Sequence, residues 1–436
     1  MDEFYFASSV LISSEVYLTK CSPKKLFYEK SIKVLSTSSK ASASDTIIMF
    51  GKLRQTNENS VMKISFPNIE GFDYEDTGLK AEIELYRTIN TLLIHRFTPN
   101  IVRFIGVWKC NYDHFVNLLD QKNAIIFKDN AKTIYDNYNT SINYIPSNLK
   151  QMEMNMLVME KVNGMSLNDY INTGISSDVL LSLIFQIIFT LNIFNAIGIR
   201  HGDLHSGNIM IDTHNQSPFK TYILNPSLEN DTIYYNIPTN ALAKIYDWDF
   251  GGLYNPPGGF PKIYNKKSSS MCATISSCNK NTKADLYTIL GTIWLNIMNK
   301  PEYNMINQFI MRTINQKLLV FGLPQNKQYD SFDRHNGFNF RLCKGPLDYN
   351  KQTCDVVYTN QKCFGDWEAP DCLIKSPYQA MLDPIFNKWK QIYPKDPFKN
   401  DELYGLWANA EIMDRYYNPI PKSAPPPRYY QQDMPL

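Results

Sequence analysis

The first third of the chain alternates short apolar runs with polar turns, a pattern typical of β-strands. Three such runs, SIKVL, DTIIMFGKL and VMKISF, lie between residues 31 and 66. The next segment, residues 79–93, has apolar residues at helical spacing. Two further apolar runs, NIVRFIGVW and MLVMEKV, indicate buried strands on either side of a polar insertion near residues 109–155. The pattern predicts an N-terminal lobe, residues 1–162, with five strands in a mainly antiparallel sheet and one helix.

The longest apolar run, residues 179–199, is long enough to cross a bilayer. It contains polar residues such as Gln186 and Thr190, and it leads directly into a polar loop. Because a bilayer-spanning helix would avoid such residues, we expect a buried core helix and no membrane span.

The remaining pattern predicts a mainly helical C-terminal lobe, residues 163–417. Short strands, NIMID and AKIYDWDFGG, are expected on either side of a turn-rich insertion at about 213–240. Helices are expected over KADLYTILGTIWLNIM and near residues 305–319 and 377–393. Residues 418–436 are Pro-rich, and we expect an extended or disordered tail there. The predicted fold is therefore two-lobed and α+β.

Charge and cysteine usage narrow the function classes. The 436 residues include 44 Lys and Arg against 42 Asp and Glu, which is too balanced for nucleic-acid binding by overall charge. The N-terminus opens with two acidic residues and lacks the basic start of a secretory signal, so a cytoplasmic or nuclear protein is expected. No C-x-x-C pair occurs, so we expect no cysteine metal site.

A C-terminal extension contains four cysteines at near-regular spacing: Cys343, Cys354, Cys363 and Cys372. In a reducing compartment we expect free thiols, whereas an oxidising one would allow disulfides that staple a loop-rich segment.

The polar loop HGDLHSGN, residues 201–208, has the residues that phosphoryl transfer requires. This reaction needs a base beside the acceptor hydroxyl, oxygen ligands for Mg²⁺, and a cation for the phosphates. Asp203 can serve as the base, and Asn208, five residues on, can bind metal. Asp247 and Asp249, in IYDWDFGG, follow a predicted strand and offer further hard oxygen ligands.

A candidate cation precedes these residues in the chain. Lys63 lies in the predicted strand VMKIS, and Glu82 lies on the helix that follows. We expect the two to form an ion pair.

These motifs, in this order from about residue 31 to residue 300, resemble the protein-kinase superfamily. The HGDxHxxN form of the loop is shared with small-molecule kinases such as aminoglycoside and choline kinases. The resemblance implies ATP and Mg²⁺ as cofactors, with ATP between the lobes. It also implies that Lys63 holds the α- and β-phosphates with Glu82 as its partner, and Glu84 is a weaker match for that partner. Asp203 corresponds to the catalytic Asp and Asn208 to a metal ligand.

The resemblance assigns further roles. Met159 and the pair Glu160 and Val162 correspond to the gatekeeper and to the hinge whose backbone bonds adenine. His205 stands where many kinases have a lysine that contacts the γ-phosphate, although it can also simply pack. Asp285 corresponds to an aspartate that braces the catalytic loop.

Two alignments compete for the primary metal ligand. A literal match to DFG selects Asp249, whereas the position directly after the apolar strand selects Asp247, as in small-molecule kinases. Strand alternation places both side chains on one face, so both can approach the ions. Strand position favours Asp247.

The chain also departs from the kinase pattern. The segment STSSKASAS follows KVL, where kinases have the G-x-G-x-x-G loop, and the chain has no A-P-E motif. Its D-x-D-F motif, its insertions and its Asn/Ile/Lys/Tyr-rich composition are similar to divergent kinases of large nucleocytoplasmic DNA viruses, including poxvirus virion kinases. This similarity implies a serine/threonine protein kinase of viral origin, located in the virion or the host cytoplasm, with a protein substrate.

Two other functions stay open at this point. The HGDLH and YDW motifs also support a small-molecule kinase. The missing glycines and A-P-E motif would suit a pseudokinase that serves as a virion scaffold or interaction protein. The sequence does not indicate the oligomeric state.

Overall fold

A computed structural model describes part of the chain, in two units. The described residues are 15–17, 32–37, 46–53, 58–65, 78–94, 96–111, 153–214, 217–224, 233–254, 262–263, 283–314, 374–391 and 403–405. The small unit comprises Phe6–Asn90, Val102–Val162 and Tyr429–Leu436, and the large unit comprises Met1–Tyr5, Thr91–Ile101 and Asn163–Arg428. Most of the insertion at 109–155, the four C-terminal cysteines and the Pro-rich tail lie outside the described residues.

The small unit contains a six-stranded sheet in the order β1-β5-β6-β4-β3-β2. Its strands are β1 Glu15–Tyr17, β2 Ile32–Thr37, β3 Thr46–Leu53, β4 Asn59–Ser65, β5 Phe104–Asn111 and β6 Glu153–Glu160. All neighbours pair antiparallel except β1, which pairs parallel with β5. The mainly antiparallel sheet is therefore confirmed. The pattern analysis missed β1, because three residues are too few to show alternation.

Helix α1, Gly78–Ile94, follows β4 and is the predicted helix. Its apolar positions Ile83, Tyr86 and Ile89 are all buried. Tyr86 stacks on Phe104 of β5, with ring centroids 6.1 Å apart. The helical spacing of these side chains is therefore explained by burial of one face.

The large unit has more helix than strand in its described part. Its α-helices are α2 Leu167–Asn172, α3 Ser177–Ile197, α4 Ala284–Ile297, α5 Asn304–Thr313 and α6 Pro377–Met381. Helix α3 begins where the Ser176 hydroxyl accepts a hydrogen bond from Val179 N, and it ends at Gly198 in the left-handed conformation. By length and composition α3 could cross a membrane, but 83% of its apolar window is buried inside the protein. The predicted core helix is confirmed.

The large unit also contains three small sheets. Their strands are β7 Gly164–Ser166, β8 Ile199–Arg200, β9 Ile209–Asp212, β10 Phe219–Leu224, β11 Ile233–Pro238, β12 Leu242–Ile245, β13 Gly252–Leu253, β14 Lys390–Gln391 and β15 Leu403–Gly405. The strand orders are β14-β11-β10-β15, β12-β9-β7 and β13-β8.

The expectation of a turn-rich insertion at 213–240 was wrong, because β10 and β11 form an antiparallel pair there. The reason is the apolar surface that this pair buries on α3. The Phe185 ring lies 5.7 Å from the Tyr222 ring and 4.8 Å from the Tyr235 ring, centroid to centroid. Phe189 lies 4.8 Å from Tyr222. The aromatic residues in this stretch were the available signal, and the Pro and Asn residues around them obscured it.

Helical stretches are present near 377–393, as expected, but in two parts. Helix α6 ends at Met381, and a 3₁₀ helix covers Pro384–Trp389. Asp383, which precedes the proline, has an extended backbone with ψ of 136°. Proline disfavours helical geometry in the residue before it and lacks the N–H that would continue the helix.

A buried polar network anchors β12 in the large unit. The Asn100 amide nitrogen donates to Gln186 Oε1 at 2.9 Å and to the Ala243 carbonyl at 2.8 Å. Gln186 Oε1 accepts from Ala243 N at 2.9 Å, and Ile245 N donates to the Asn100 carbonyl at 3.0 Å. Gln186 of α3 is thus satisfied inside the unit, and together with Asn100 it holds the strand that leads to Asp247.

Candidate active site

In the small unit, Lys63 and Glu82 form the ion pair that the sequence suggested. The Lys63 Nζ lies 3.0 Å from Glu82 Oε1 and 3.1 Å from Oε2. Their side chains are only 8% and 0% exposed. Glu84 instead pairs with Arg87 on the helix surface, so it is not the partner of Lys63. The pair fixes the Lys63 ammonium in the middle of β4.

The candidate gatekeeper and hinge lie at the end of β6. Met159 is buried and Val162 is nearly so. The Glu160 carboxylate accepts a hydrogen bond from Arg103 N at 2.9 Å, and Glu160 N donates to the Arg103 carbonyl at 3.0 Å. Lys161 N donates to the Asn59 carbonyl at 3.0 Å. The strand end is therefore fixed by its neighbours, whereas the adenine contact stays a prediction.

In the large unit, Asp285 braces the polar loop, as the kinase resemblance implied. Its carboxylate, near the start of α4, accepts hydrogen bonds from His201 N at 2.8 Å and from Gly202 N at 2.9 Å. Asp285 is only 4% exposed. Gly202 has a φ of +77°, and a Cβ there would lie 2.5 Å from the Phe250 carbonyl oxygen. This turn therefore requires glycine.

His201 is a buried, neutral support of the loop. Its Nδ1 accepts a hydrogen bond from Asp203 N at 3.3 Å, and its Nε2 donates to the Tyr246 carbonyl at 2.9 Å. The ring packs against Trp248 at a centroid distance of 4.5 Å. Complete burial lowers the pKa of His201, and this effect outweighs the opposing influence of Asp285. Its role is to fix the loop.

Asp203 and Asn208 are linked within the loop. The Asn208 amide nitrogen donates to the Asp203 carbonyl at 2.9 Å and lies 3.5 Å from the Asp203 carboxylate oxygen Oδ2. Both residues are buried, at 8% and 6% exposure. Because the amide nitrogen is used in this way, Oδ1 is the Asn208 atom suited to a cation.

His205 lies beside Asp203, in surroundings that disfavour its protonated form. Its Nδ1 accepts from Gly207 N at 3.0 Å, and its Nε2 is 4.0 Å from Asp203 Oδ2. Burial, and then the proximity of His201, lower the pKa of His205, while Asp247 acts in the opposite direction. A neutral His205 can donate one hydrogen bond from Nε2, and its contact with a γ-phosphate stays a prediction.

Asp247 and Asp249 follow β12, and the strand-alternation argument for them was wrong. Both residues lie beyond the strand, which ends at Ile245. Asp247 has a φ of +66°, a left-handed conformation that Asp tolerates better than most residues. This turn brings one carboxylate oxygen of Asp247 within 4.8 Å of one of Asp249. Both candidates are therefore close enough to approach one divalent cation.

The oxygen donors of the large unit fit Mg²⁺. Two carboxylates within 4.8 Å and an amide oxygen are the hard ligands that this ion prefers. Sequence reasoning missed Tyr246, which precedes Asp247 and bonds the loop through its hydroxyl. No sequence signal marks this residue, since a Tyr at a strand end usually indicates only packing.

Comparison with known proteins supports the kinase interpretation. Residues 27–225 match the family described as ABC1 atypical kinase-like domain. A protein of Acanthamoeba polyphaga mimivirus, provisionally named serine/threonine-protein kinase R400, is 26% identical over 220 residues. That match covers 47% of this chain and 45% of the viral protein, so the chain spans less than half the length of this relative.

Solved kinase domains are similar only at low scores. The kinase domain of PF14_0431 is 14% identical with a TM-score of 0.38, covering 82% of this chain and 95% of that one. The Rad53 kinase domain with SCD2, in complex with AMPPNP, is 16% identical with a TM-score of 0.26, covering 51% of each chain. TM-scores this low support no conclusion about function.

The family match, the viral relative and the described geometry agree. Together they support a divergent protein-kinase-like protein with a kinase-like α+β fold.

Proposed function

We propose that the protein is an ATP- and Mg²⁺-dependent phosphotransferase that phosphorylates serine or threonine in a protein substrate. The observation that supports this most is the loop at 201–208. In it Asp203 and Asn208 are joined by a hydrogen bond of 2.9 Å, and the loop is braced by Asp285. A protein that served only as a scaffold would have no physical need for this set of residues.

Each unit contributes different groups to the proposed reaction. In the small unit, Lys63 binds the α- and β-phosphates, and Glu82 keeps its side chain in place. In the large unit, Asp203 orients the acceptor hydroxyl and accepts its proton. Asn208, Asp247 and Asp249 hold the metal, with Asp247 as the primary ligand. When bound, Mg²⁺ neutralises charge on the transferring phosphoryl group.

The viral relative supports an origin in a large DNA virus. We place the protein in the virion, the host cytoplasm or both, with a protein substrate as its partner. The relative's name supports serine or threonine as acceptor, although only at 26% identity over 220 residues.

The first test is transfer of the ATP γ-phosphate to casein or myelin basic protein by wild type, Asp203→Ala, Asp247→Asn and Asp249→Asn. We expect Asp203→Ala to lower the rate by roughly 10²–10⁴-fold. Asp247→Asn should abolish transfer without unfolding the protein, because Asn also tolerates the left-handed conformation. Circular dichroism checks the fold of each variant.

The outcomes separate the alternatives. Activity that survives in Asp247→Asn but is lost in Asp249→Asn would move the primary metal role to Asp249. Transfer to choline or an aminoglycoside, and not to protein, would establish the small-molecule kinase. If wild type transfers no phosphate and shows no thermal shift on adding Mg·ATP, the result would support the pseudokinase scaffold instead.

A further inference from the structure

Tyr246 connects β12 to the catalytic loop through three hydrogen bonds. Its backbone N donates to the Asn208 carbonyl at 3.2 Å. Its hydroxyl donates to the Gly207 carbonyl at 2.7 Å, and its own carbonyl accepts from His201 Nε2 at 2.9 Å. One residue directly after the strand therefore bonds the loop at its start, through His201, and at its end, through Gly207 and Asn208.

Two of these bonds hold Asn208 from both sides. The Gly207 carbonyl belongs to the peptide group that contains Asn208 N, and the Asn208 carbonyl belongs to the next peptide group. With both peptides held by Tyr246, the backbone of Asn208 has little freedom to rotate. Its side chain is held in turn by the bond to the Asp203 carbonyl at 2.9 Å.

The third bond fixes the start of the turn that contains Asp247. The Tyr246 carbonyl is in the peptide group that leads into Asp247, whose φ is +66°. Its partner, His201, is fully buried against Trp248. The two candidate metal ligands Asn208 and Asp247 are therefore set relative to each other through Tyr246.

Only one of the three bonds depends on the tyrosine side chain. Any residue at this position would offer the backbone N–H and carbonyl, whereas the bond to Gly207 needs the phenolic hydroxyl. Tyr246 is partly exposed, so burial of its ring does not by itself account for a tyrosine there.

We propose that Tyr246 is a positioning residue, whose hydroxyl holds Asn208 in place so that it can act with Asp247 as a ligand of a divalent cation. The inference rests on the proposed function only as far as that cation serves phosphoryl transfer. Removal of the hydroxyl should loosen Asn208 and weaken cation binding while the backbone bonds persist.

The test compares Tyr246→Phe with wild type and with a matched control, Tyr235→Phe. In the same unit, the buried Tyr235 hydroxyl donates to the Met381 carbonyl at 3.1 Å, so the control loses an equivalent bond away from the loop. The affinity for Mn²⁺ is measured by electron paramagnetic resonance, and the Mg²⁺ concentration for half-maximal phosphoryl transfer is measured alongside. Melting temperatures report stability.

We expect Tyr246→Phe to weaken Mn²⁺ binding roughly two- to tenfold, the equivalent of one neutral hydrogen bond. The Mg²⁺ requirement should rise by a similar factor. Tyr235→Phe should lower the melting temperature about as much as Tyr246→Phe does. It should leave the Mn²⁺ affinity and the Mg²⁺ requirement unchanged.

Unchanged cation affinity in Tyr246→Phe would overturn the proposal, as would equal loss in both variants or no Mn²⁺ binding by wild type. Unfolding of Tyr246→Phe alone would show a structural role and overturn it too. A wild type that binds Mn²⁺ but transfers no phosphate would contradict the proposed function, and the Mn²⁺ comparison would still decide the role of Tyr246.

Discussion

Lys63 in the small unit and Asp203 in the large unit are buried to a similar degree, at 6% and 8% exposure, but they are held differently. Lys63 faces an opposite charge, with both Glu82 oxygens within 3.1 Å of its Nζ. Asp203 has polar neighbours instead: its N–H donates to His201 Nδ1, and its carbonyl and carboxylate lie 2.9 Å and 3.5 Å from the Asn208 amide nitrogen. The small unit therefore cancels the charge of its functional group internally.

The large unit instead assembles carboxylates around one loop. In the turn after β12, a carboxylate oxygen of Asp247 lies within 4.8 Å of one of Asp249. Lys63 therefore has its counter-charge within its own unit, whereas the large unit brings together two carboxylates that would suit the cation of the proposed reaction. Three experiments test this difference between the two units.

The largest effect is expected from breaking the Lys63–Glu82 pair. Lys63→Met leaves the fully buried Glu82 carboxylate without its ammonium partner and should lower the free energy of unfolding by roughly 3–5 kcal/mol. The double variant Lys63→Met/Glu82→Leu should recover most of that stability but no phosphoryl transfer. Urea unfolding measures the first quantity and a transfer assay the second.

A control for this pair lies on the same helix. Glu84 is 47% exposed and pairs with Arg87, so Glu84→Gln should cost less than about 1 kcal/mol. Equal losses in Lys63→Met and Glu84→Gln would contradict the view that the buried pair is the electrostatic centre of the small unit.

An intermediate effect is expected from the brace in the large unit. Asp285→Ala leaves the N–H groups of His201 and Gly202 without their carboxylate acceptor, and should destabilise by about 1–3 kcal/mol. Phosphoryl transfer should fall further than stability, because the loop that contains Asp203 loses its support. The exposed Asp178→Asn is the control, and a comparable loss of activity in it would argue against the brace.

The smallest effect is a pH dependence from His201. Burial lowers the pKa of His201 in the folded protein. Below a pH of about 6.5 this histidine is therefore protonated more readily in the unfolded chain than in the folded one. The stability that comes from a neutral His201 is therefore present above that pH and is lost as the pH falls. Between pH 7.5 and 5.5, wild type should lose more stability than His201→Gln in parallel urea titrations. Parallel losses would exclude His201 as the source.

Much of the fold could be predicted because its signals are local. Alternation along β2, β3 and β4 and the helical spacing in α1 are each contained in fewer than 20 residues. The exceptions have local causes as well. Strand β1 is too short to show a period, and Pro384 divides the helical region near 377–393 into two segments.

The candidate site could be predicted as a set of residues but only partly as a geometry. The order of Lys63, Glu82, Asp203, Asn208 and Asp247 along the chain indicated their chemistry. The left-handed turn at Asp247 was not predicted, since a strand was expected to continue through it. The hydroxyl bond from Tyr246 to Gly207 spans 39 residues and leaves no periodic trace.

The sequence by itself determined the strand and helix types, the polar loop and the charges available for chemistry, because each depends on neighbouring residues. Which residues they contact depends on the tertiary structure. His201 meets Asp285 across 84 residues, and Asn100 meets Ala243 across 143. Such contacts follow from which apolar faces pack together, and the buried polar groups must then find partners wherever packing brings them.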